Sequence, residues 1–343
     1  MSVVHQKMPI LLFLALLAAS AARAEQPEGS PPQPIEASII IPSGQDPVYV
    51  GQEVTARIVL RNTTSGPLMV LDWEQYGLRG QKYILPFEVT IEDYPGQGRK
   101  SDAGRGSGRI SGPYPETWFR ALAPGETVVE RSFTPMLPGT AHLRGGLECW
   151  TDTYGHWGGE SKRWPNGWVG YAYGYATVKV ASDLPAETRQ RYDNHRRTLQ
   201  DPATSPEDKL KTLAEVAGEK HYFAARFIRE TYDVAEPGRV KEAALRHLLD
   251  LAKFGTAYES FPLLVKVMEQ ENAPQDIRLT LLGWIGEVLA RQGYQRLAEQ
   301  AFHRYPEPLQ EEARQTIQRL GQDRNPFVAA RAREVLKALE PEK

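Results

Sequence analysis

Residues 171–200 read YAYGYATVKVASDLPAETRQRYDNHRRTLQ. In the first part, Ala176, Val178 and Val180 alternate with Thr177 and Lys179. An apolar side chain at every second position is what a strand with one buried face requires. After Ser182 that period stops. Pro185 stands where a helix begins, and a charged segment with helical spacing follows. The chain therefore changes from strands to helices near residue 183.

Upstream of this switch the period of two recurs. Val54, Ala56, Ile58 and Leu60 alternate with Thr55, Arg57, Val59 and Arg61, and Phe87, Val89 and Ile91 with Glu88, Thr90 and Glu92. Further strands are expected at 36–41, 68–73, 117–122, 127–133 and 140–148. They are separated by the turn signals Ser65-Gly66-Pro67, Ala123-Pro124-Gly125-Glu126 and Leu137-Pro138-Gly139. About eight short strands with no helix between them predict an antiparallel β-sandwich. The stretches Val50-Gly51-Gln52-Glu53-Val54, Leu60-Arg61-Asn62 and Leu122-Ala123-Pro124-Gly125-Glu126-Thr127 resemble bacterial extracytoplasmic immunoglobulin-like sandwich domains. The resemblance covers 35–182 and implies architecture alone, because the Cys…Trp…Cys signature of antibody domains is absent.

Downstream, helices are expected at 186–199, 206–217, 219–232, 238–254, 257–270, 274–291, 294–304, 307–320 and 326–339. Asn325 is a candidate N-cap ahead of Pro326, and Val328, Ala332, Val335, Leu336 and Leu339 form one apolar stripe. Pro206, Pro237, Pro274 and Pro306 recur at a spacing that suits helix pairs, each proline opening the first helix of its pair. The segments Pro237-Gly238-Arg239-Val240-Lys241-Glu242-Ala243-Ala244 and Asn325-Pro326-Phe327-Val328-Ala329-Ala330-Arg331-Ala332 resemble HEAT-type repeats. That resemblance spans about 205–340 and implies a helical repeat array. A compact helical bundle is the structural alternative.

Lys7, the apolar run Met8–Ala19 and the small-x-small site Ala22-Arg23-Ala24 have the layout of a cleaved signal peptide. The run is shorter than the ~20 apolar residues a membrane span needs. The expected organisation is a signal peptide at 1–24, a Pro-rich leader at 25–34, an Ig-like β-sandwich domain at 35–182 and a HEAT-like α-helical repeat domain at 183–343. The expected location is periplasmic or secreted, with no transmembrane segment after signal removal.

The whole chain of 343 residues has 41 Lys and Arg against 43 Asp and Glu. Cleavage after Ala24 removes Lys7 and Arg23 but no acid, which takes the formal net charge from −2 to −4. Nucleic-acid binding calls for a clustered basic surface, so that class is set aside. A single cysteine, Cys149, excludes an internal disulfide. Cys149 is read as a small buried residue; the competing reading is a catalytic thiol served by His142 or His156.

The most unusual segment is 148–175, which holds Trp150, Tyr154, Trp157, Trp164, Trp168, Tyr171, Tyr173 and Tyr175 with interleaved glycines. Tyr154, Trp157, Trp164 and Trp168 are the candidate ligand- or partner-binding residues, since exposed rings stack on sugars, cations or partner side chains. Tyr171, Tyr173 and Tyr175 are read as one face of the last strand, packed against the sandwich or the first helix. Asp152, His156 and Glu160 would share a helix face, but Gly155, Gly158 and Gly159 oppose a helix there, so no metal site is assigned. The glycine-rich, basic stretch Gly96–Gly112 lacks phosphate-loop spacing and is read as a solvated hairpin tip. Asn62-Thr63-Thr64 matches a glycosylation acceptor. His195, His221, His247 and His303 are read as surface or rim side chains.

No catalytic motif is found and no cofactor is assigned. The expected function is that of an exported, non-enzymatic interaction or scaffold protein of the cell envelope. It would bind a protein or peptide partner through the helical array. A polysaccharide bound by the aromatic segment is the alternative, followed by an envelope hydrolase.

Overall fold

In the computed structural model, residues 33–42, 47–72, 87–91, 100–101, 114–156, 159–294 and 307–340 are described. Among them the first half of the chain forms strands β1 (Ile35–Ile40), β2 (Val54–Asn62), β3 (Leu68–Leu71), β4 (Phe87–Ile91), β5 (Lys100–Ser101), β6 (Phe119–Leu122), β7 (Gly125–Phe133), β8 (Gly139–Cys149), β9 (Thr153–Tyr154), β10 (Lys162–Arg163) and β11 (Gly170–Val180). They pair antiparallel into one sheet of order β1-β2-β7, a second of order β11-β8-β4-β5, and the pairs β3-β6 and β9-β10. Among the described residues, the strand pairings before residue 181 are antiparallel, apart from isolated parallel bridges such as Val48 with Val180.

The two larger sheets share one core. Ile35, Ile39, Ile58 and Leu60 of the first join Leu143, Leu147 and Val178 of the second. Each such side chain, fully withdrawn from water, contributes about 1.5–3 kcal/mol. The sheets approach closely at Gly174 of β11. A Cβ there would lie 2.5 Å from Ser38 Cα of β1, so no residue with a side chain fits without moving backbone. Gly145 of β8 plays a similar part, since a Cβ would meet Ile58 Cδ1 at 2.9 Å.

The second half forms eight described helices: α1 (Ala186–Gln200), α2 (Pro206–Gly218), α3 (Tyr222–Val234), α4 (Arg239–Phe254), α5 (Phe261–Glu269), α6 (Gln275–Tyr294), α7 (Glu307–Leu320) and α8 (Pro326–Leu339). Their ends follow local chemistry. The Ser205 hydroxyl accepts from Asp208 N–H at the start of α2, and Asn325 Oδ1 accepts from Phe327 and Val328 N–H at the start of α8. Gly255, at φ 96°, closes α4 in the left-handed conformation. The helix expected at 257–270 is divided into a 3-10 turn (Tyr258–Ser260) and α5, with Pro262 in the first turn of α5, where a missing N–H costs nothing. The helix expected at 294–304 lies outside the described residues except at its first position, the end of α6.

The pairing of helices agrees with the prolines at α7–α8, the pair that Pro306 precedes, and α2 also touches α3. It differs in the middle of the array, where α4 packs on α3 rather than on α5 and α5 packs on α6. α2, α4, α6 and α8 then follow one another in contact, and α5 touches α7. Proline at a first turn marks where a helix starts but says nothing about which neighbour it pairs with. A single apolar core runs through the helices from Tyr192 and Leu213 to Ala332 and Val335. Arginine–carboxylate bridges join alternate helices: Arg239–Glu207 at 2.8 Å (α4 to α2), Arg246–Asp276 at 2.5 Å (α4 to α6) and Arg196–Glu230 at 3.0 Å (α1 to α3), while the buried pair Arg278–Asp323 ties α6 to the link between α7 and α8.

The halves touch at the start of α3. Tyr222 N–H donates to the Met136 carbonyl at 2.8 Å, and Tyr222, Phe223 and Tyr258 lie against the strand core. Gly51, at φ +82°, makes room for the His221 ring, which a Cβ would meet at 2.9 Å. Among the described residues no helix is long and apolar enough to cross a membrane.

Candidate binding face

The candidate aromatic residues fall into different environments. Between β8 and β11 the chain makes an excursion through the small β9-β10 hairpin, in which Tyr154 pairs with Lys162. Tyr154 and Trp164 stack on each other, with centroids 4.2 Å apart and planes 24° apart, and Phe119 packs near both rings. Trp164 Nε1 is sealed from solvent and makes no hydrogen bond. Trp168 is only 7% exposed and belongs to the strand core. Trp150 Nε1 donates to the Tyr114 hydroxyl at 3.1 Å. Tyr154 and Trp164 are therefore brought together, but their rings cover one another, and Trp168 presents no open face. Trp157 lies outside the described residues, as does Gly96–Gly112 except for Lys100 and Ser101.

The exposed rings of this segment are Tyr171 and Tyr175, two of the three tyrosines expected to be packed. On β11, Ala172, Gly174, Val178 and Val180 point into the core. The alternation therefore sends Tyr171, Tyr173 and Tyr175 to the opposite, outer face of the sheet. Tyr171 is 53% exposed, Tyr175 is 49% exposed, and Val169 just ahead of the strand is 52% exposed. This corrects the expectation that the tyrosine face packs against the sandwich or the first helix. The reason is the close approach of β1 at Gly174, which only small residues permit, so the large residues are on the other side. The signal was present in the sequence as the small-residue set Ala172, Gly174 and Ala176.

The register places Glu148, Gly146 and Arg144 of β8 opposite Tyr171, Tyr173 and Tyr175, and Glu88 of β4 opposite Arg144. The Arg144 guanidinium lies 3.7 Å over the Tyr173 ring and 3.5 Å from Glu88 Oε2. The Tyr171 and Tyr173 planes are within 15° of parallel, with centroids 6.4 Å apart. The middle ring is thus held in place by a cation–π contact anchored on a carboxylate. The outcome is an ordered aromatic row with half-exposed rings at both ends.

Cys149 is fully buried; its Sγ accepts from Leu71 N–H and donates to the Thr151 carbonyl, both at 3.3 Å. Burial pushes the thiol above its ordinary pKa. His142 lies an odd number of residues along the same strand and so faces the other side of the sheet from Cys149. That geometry removes the thiol–His142 reading. Asp152 lies 3.8 Å from Arg163, and among the described residues no three His, Cys, Asp or Glu side chains converge. Asn62 of the acceptor motif is buried. Its amide donates to the Gly66 and Leu122 carbonyls and its Oδ1 accepts from Thr64, so the folded chain offers no free amide there.

His221 is a correction of another kind. Read as a surface side chain, it is 4% exposed and stands at the junction of the two halves. Nothing in its sequence neighbourhood announced this, because the residue that makes room for it is Gly51.

The fold and face together define a two-part protein, antiparallel sheet followed by paired helices, with an outward aromatic row on a sheet. No protein-family model matches the chain, and no curated protein sequence does. Among solved structures, the crystal structure of red sea bream transglutaminase aligns with 19% sequence identity and a TM-score of 0.22. The alignment covers 45% of this chain and 15% of that one, a small part of that enzyme's length.

Proposed function

We propose that this is an exported, non-enzymatic scaffold protein of the cell envelope, periplasmic or secreted. In this reading an Ig-like sandwich contacts an envelope component through its tyrosine row. A HEAT-like helical array carries a protein or peptide partner. The observation that supports the first contact is the half-exposure of Tyr171, Tyr175 and Val169 along one strand face. Contiguous exposed apolar side chains of this size mark interaction sites, and tyrosine and arginine carry a large share of binding energy at such sites. The support for the second is the succession α2–α4–α6–α8 around a continuous core, an arrangement that gives an extended surface. Export is supported by Lys7, Met8–Ala19 and Ala22-Arg23-Ala24, which lie outside the described residues.

The test is co-sedimentation of the mature protein with isolated cell envelopes. The double variant Tyr171→Ser with Tyr175→Ser should bind at least about tenfold more weakly, a loss of ~1.4 kcal/mol. Its melting temperature should stay close to that of the wild type, because both side chains are half exposed. Equal sedimentation of the two proteins would refute a binding role for this face.

A further inference from the structure

We infer that the ligand of the tyrosine row is an uncharged glycan chain laid along β11. This rests on the binding role proposed above for that face and adds the chemistry of the ligand. Pyranose rings present C–H faces that stack on aromatic rings, and the row offers half-exposed rings at Tyr171 and Tyr175 with Tyr173 between them. Four residue steps of strand separate the outer pair, roughly 13 Å at the usual rise. That span is longer than one sugar and suits a chain. Opposite Tyr173 stands Gly146, where a Cβ would collide with the Ala172 carbonyl oxygen of β11. The Arg144 side chain of the same strand lies over the middle ring at 3.7 Å, so the rings open to a ligand are the outer two.

Charge on the face selects the class further. Arg144 and Lys179 are matched by Glu88 and Glu148, and Arg144 is already engaged by Glu88 and the Tyr173 ring. The balance favours neither a polyanion nor a polycation, and it complements a neutral polyhydroxyl chain whose hydroxyls meet these polar groups and the tyrosine hydroxyls. A peptide adding as an extra strand to the β11 edge is disfavoured at one end, because Ala181 N–H already donates to the Val48 carbonyl at 2.8 Å and Val48 bridges Val180.

The experiment compares two preparations as binding targets for the full mature protein: intact envelopes, and the polysaccharide residue left by exhaustive protease digestion and lipid extraction, the latter at low and high salt. The wild type should bind the protease-digested, lipid-extracted residue within about twofold of intact envelopes. Raising the salt should change that binding by less than about twofold, since screening weakens only charged contacts. Tyr171→Ser with Tyr175→Ser should lose at least about tenfold on both targets. Loss of wild-type binding on protease digestion, with the tyrosine variant still defective on intact envelopes, would overturn the glycan assignment and leave the row as a protein-binding face. A steep fall with salt would overturn the uncharged assignment. A tyrosine variant that binds like the wild type would overturn both this inference and the binding role itself.

Discussion

Glu219 shows how much one carboxylate can organise. Its Oε1 accepts from Arg191 at 2.8 Å, while Oε2 accepts from the Tyr192 hydroxyl at 2.8 Å and from His221 Nε2 at 2.9 Å. The other ring nitrogen of His221, Nδ1, accepts from Ala224 N–H at 3.1 Å and caps α3, so the hydrogen bonds place the ring proton on Nε2. Burial by itself would raise the Glu219 carboxyl. The hydrogen bonds from His221 and Tyr192 and the charge of Arg191 outweigh it and hold the group below the ordinary range. A depressed folded-state pKa contributes stability that is complete above the unfolded value, about 4.3, and is lost as pH falls through the folded value. Thermal melting over an acid series should therefore show the wild type losing stability below about pH 4.3 more steeply than Glu219→Gln. Parallel curves would show that Glu219 holds no such energy. The sequence displayed Glu219 and His221 near each other, but it could not display Gly51 making room for the imidazole, since that contact joins distant parts of the chain.

At the level of elements, ion pairs that look alike in the sequence differ in consequence. Arg239 and Glu207 are both more than two-thirds exposed, so water and salt screen them. Arg278 is 3% exposed; its Nε donates to the Met268 carbonyl at 2.8 Å and its guanidinium meets Asp323, which also accepts from Asn325 N–H. Removing one partner of such a pair leaves a buried charge and costs about 3–5 kcal/mol, whereas an exposed pair is worth ~0–1 kcal/mol. Urea unfolding should rank Arg278→Met far below Arg239→Ala, and Arg278→Met combined with Asp323→Leu should recover most of the loss. Equal effects of the two single variants would contradict the burial argument. Helix extents were largely legible, because proline, glycine and capping residues such as Asn325 act locally. The pairing of helices was not, because α3 meets α4 and α5 meets α6 through side chains that could equally have faced another neighbour.

In the whole molecule the two halves are joined by more than the short link Ala181–Pro185. The Tyr222–Met136 hydrogen bond, the His221 ring against Gly51, and Tyr222, Phe223 and Tyr258 on the strand core all cross the junction. A protein nicked at a protease site engineered between Ser182 and Asp183 should elute as one species on gel filtration, and Gly51→Val should weaken that association. Separation of the nicked halves in the parent would show that the junction holds little energy. What the amino-acid order determined unaided was the change of period at Ser182, the extents of most strands and helices, and the fully buried place of Cys149, because backbone sterics and side-chain alternation act over a few residues. Only the tertiary structure decided which side of β11 looks outward, how the helices pair, and that His221 is enclosed. Each of these depends on which distant surface arrives to cover a residue: β1 closes on Gly174 and turns the tyrosines to solvent, and Gly51 admits the imidazole. Local periodicity sets two faces but leaves open which one will be buried.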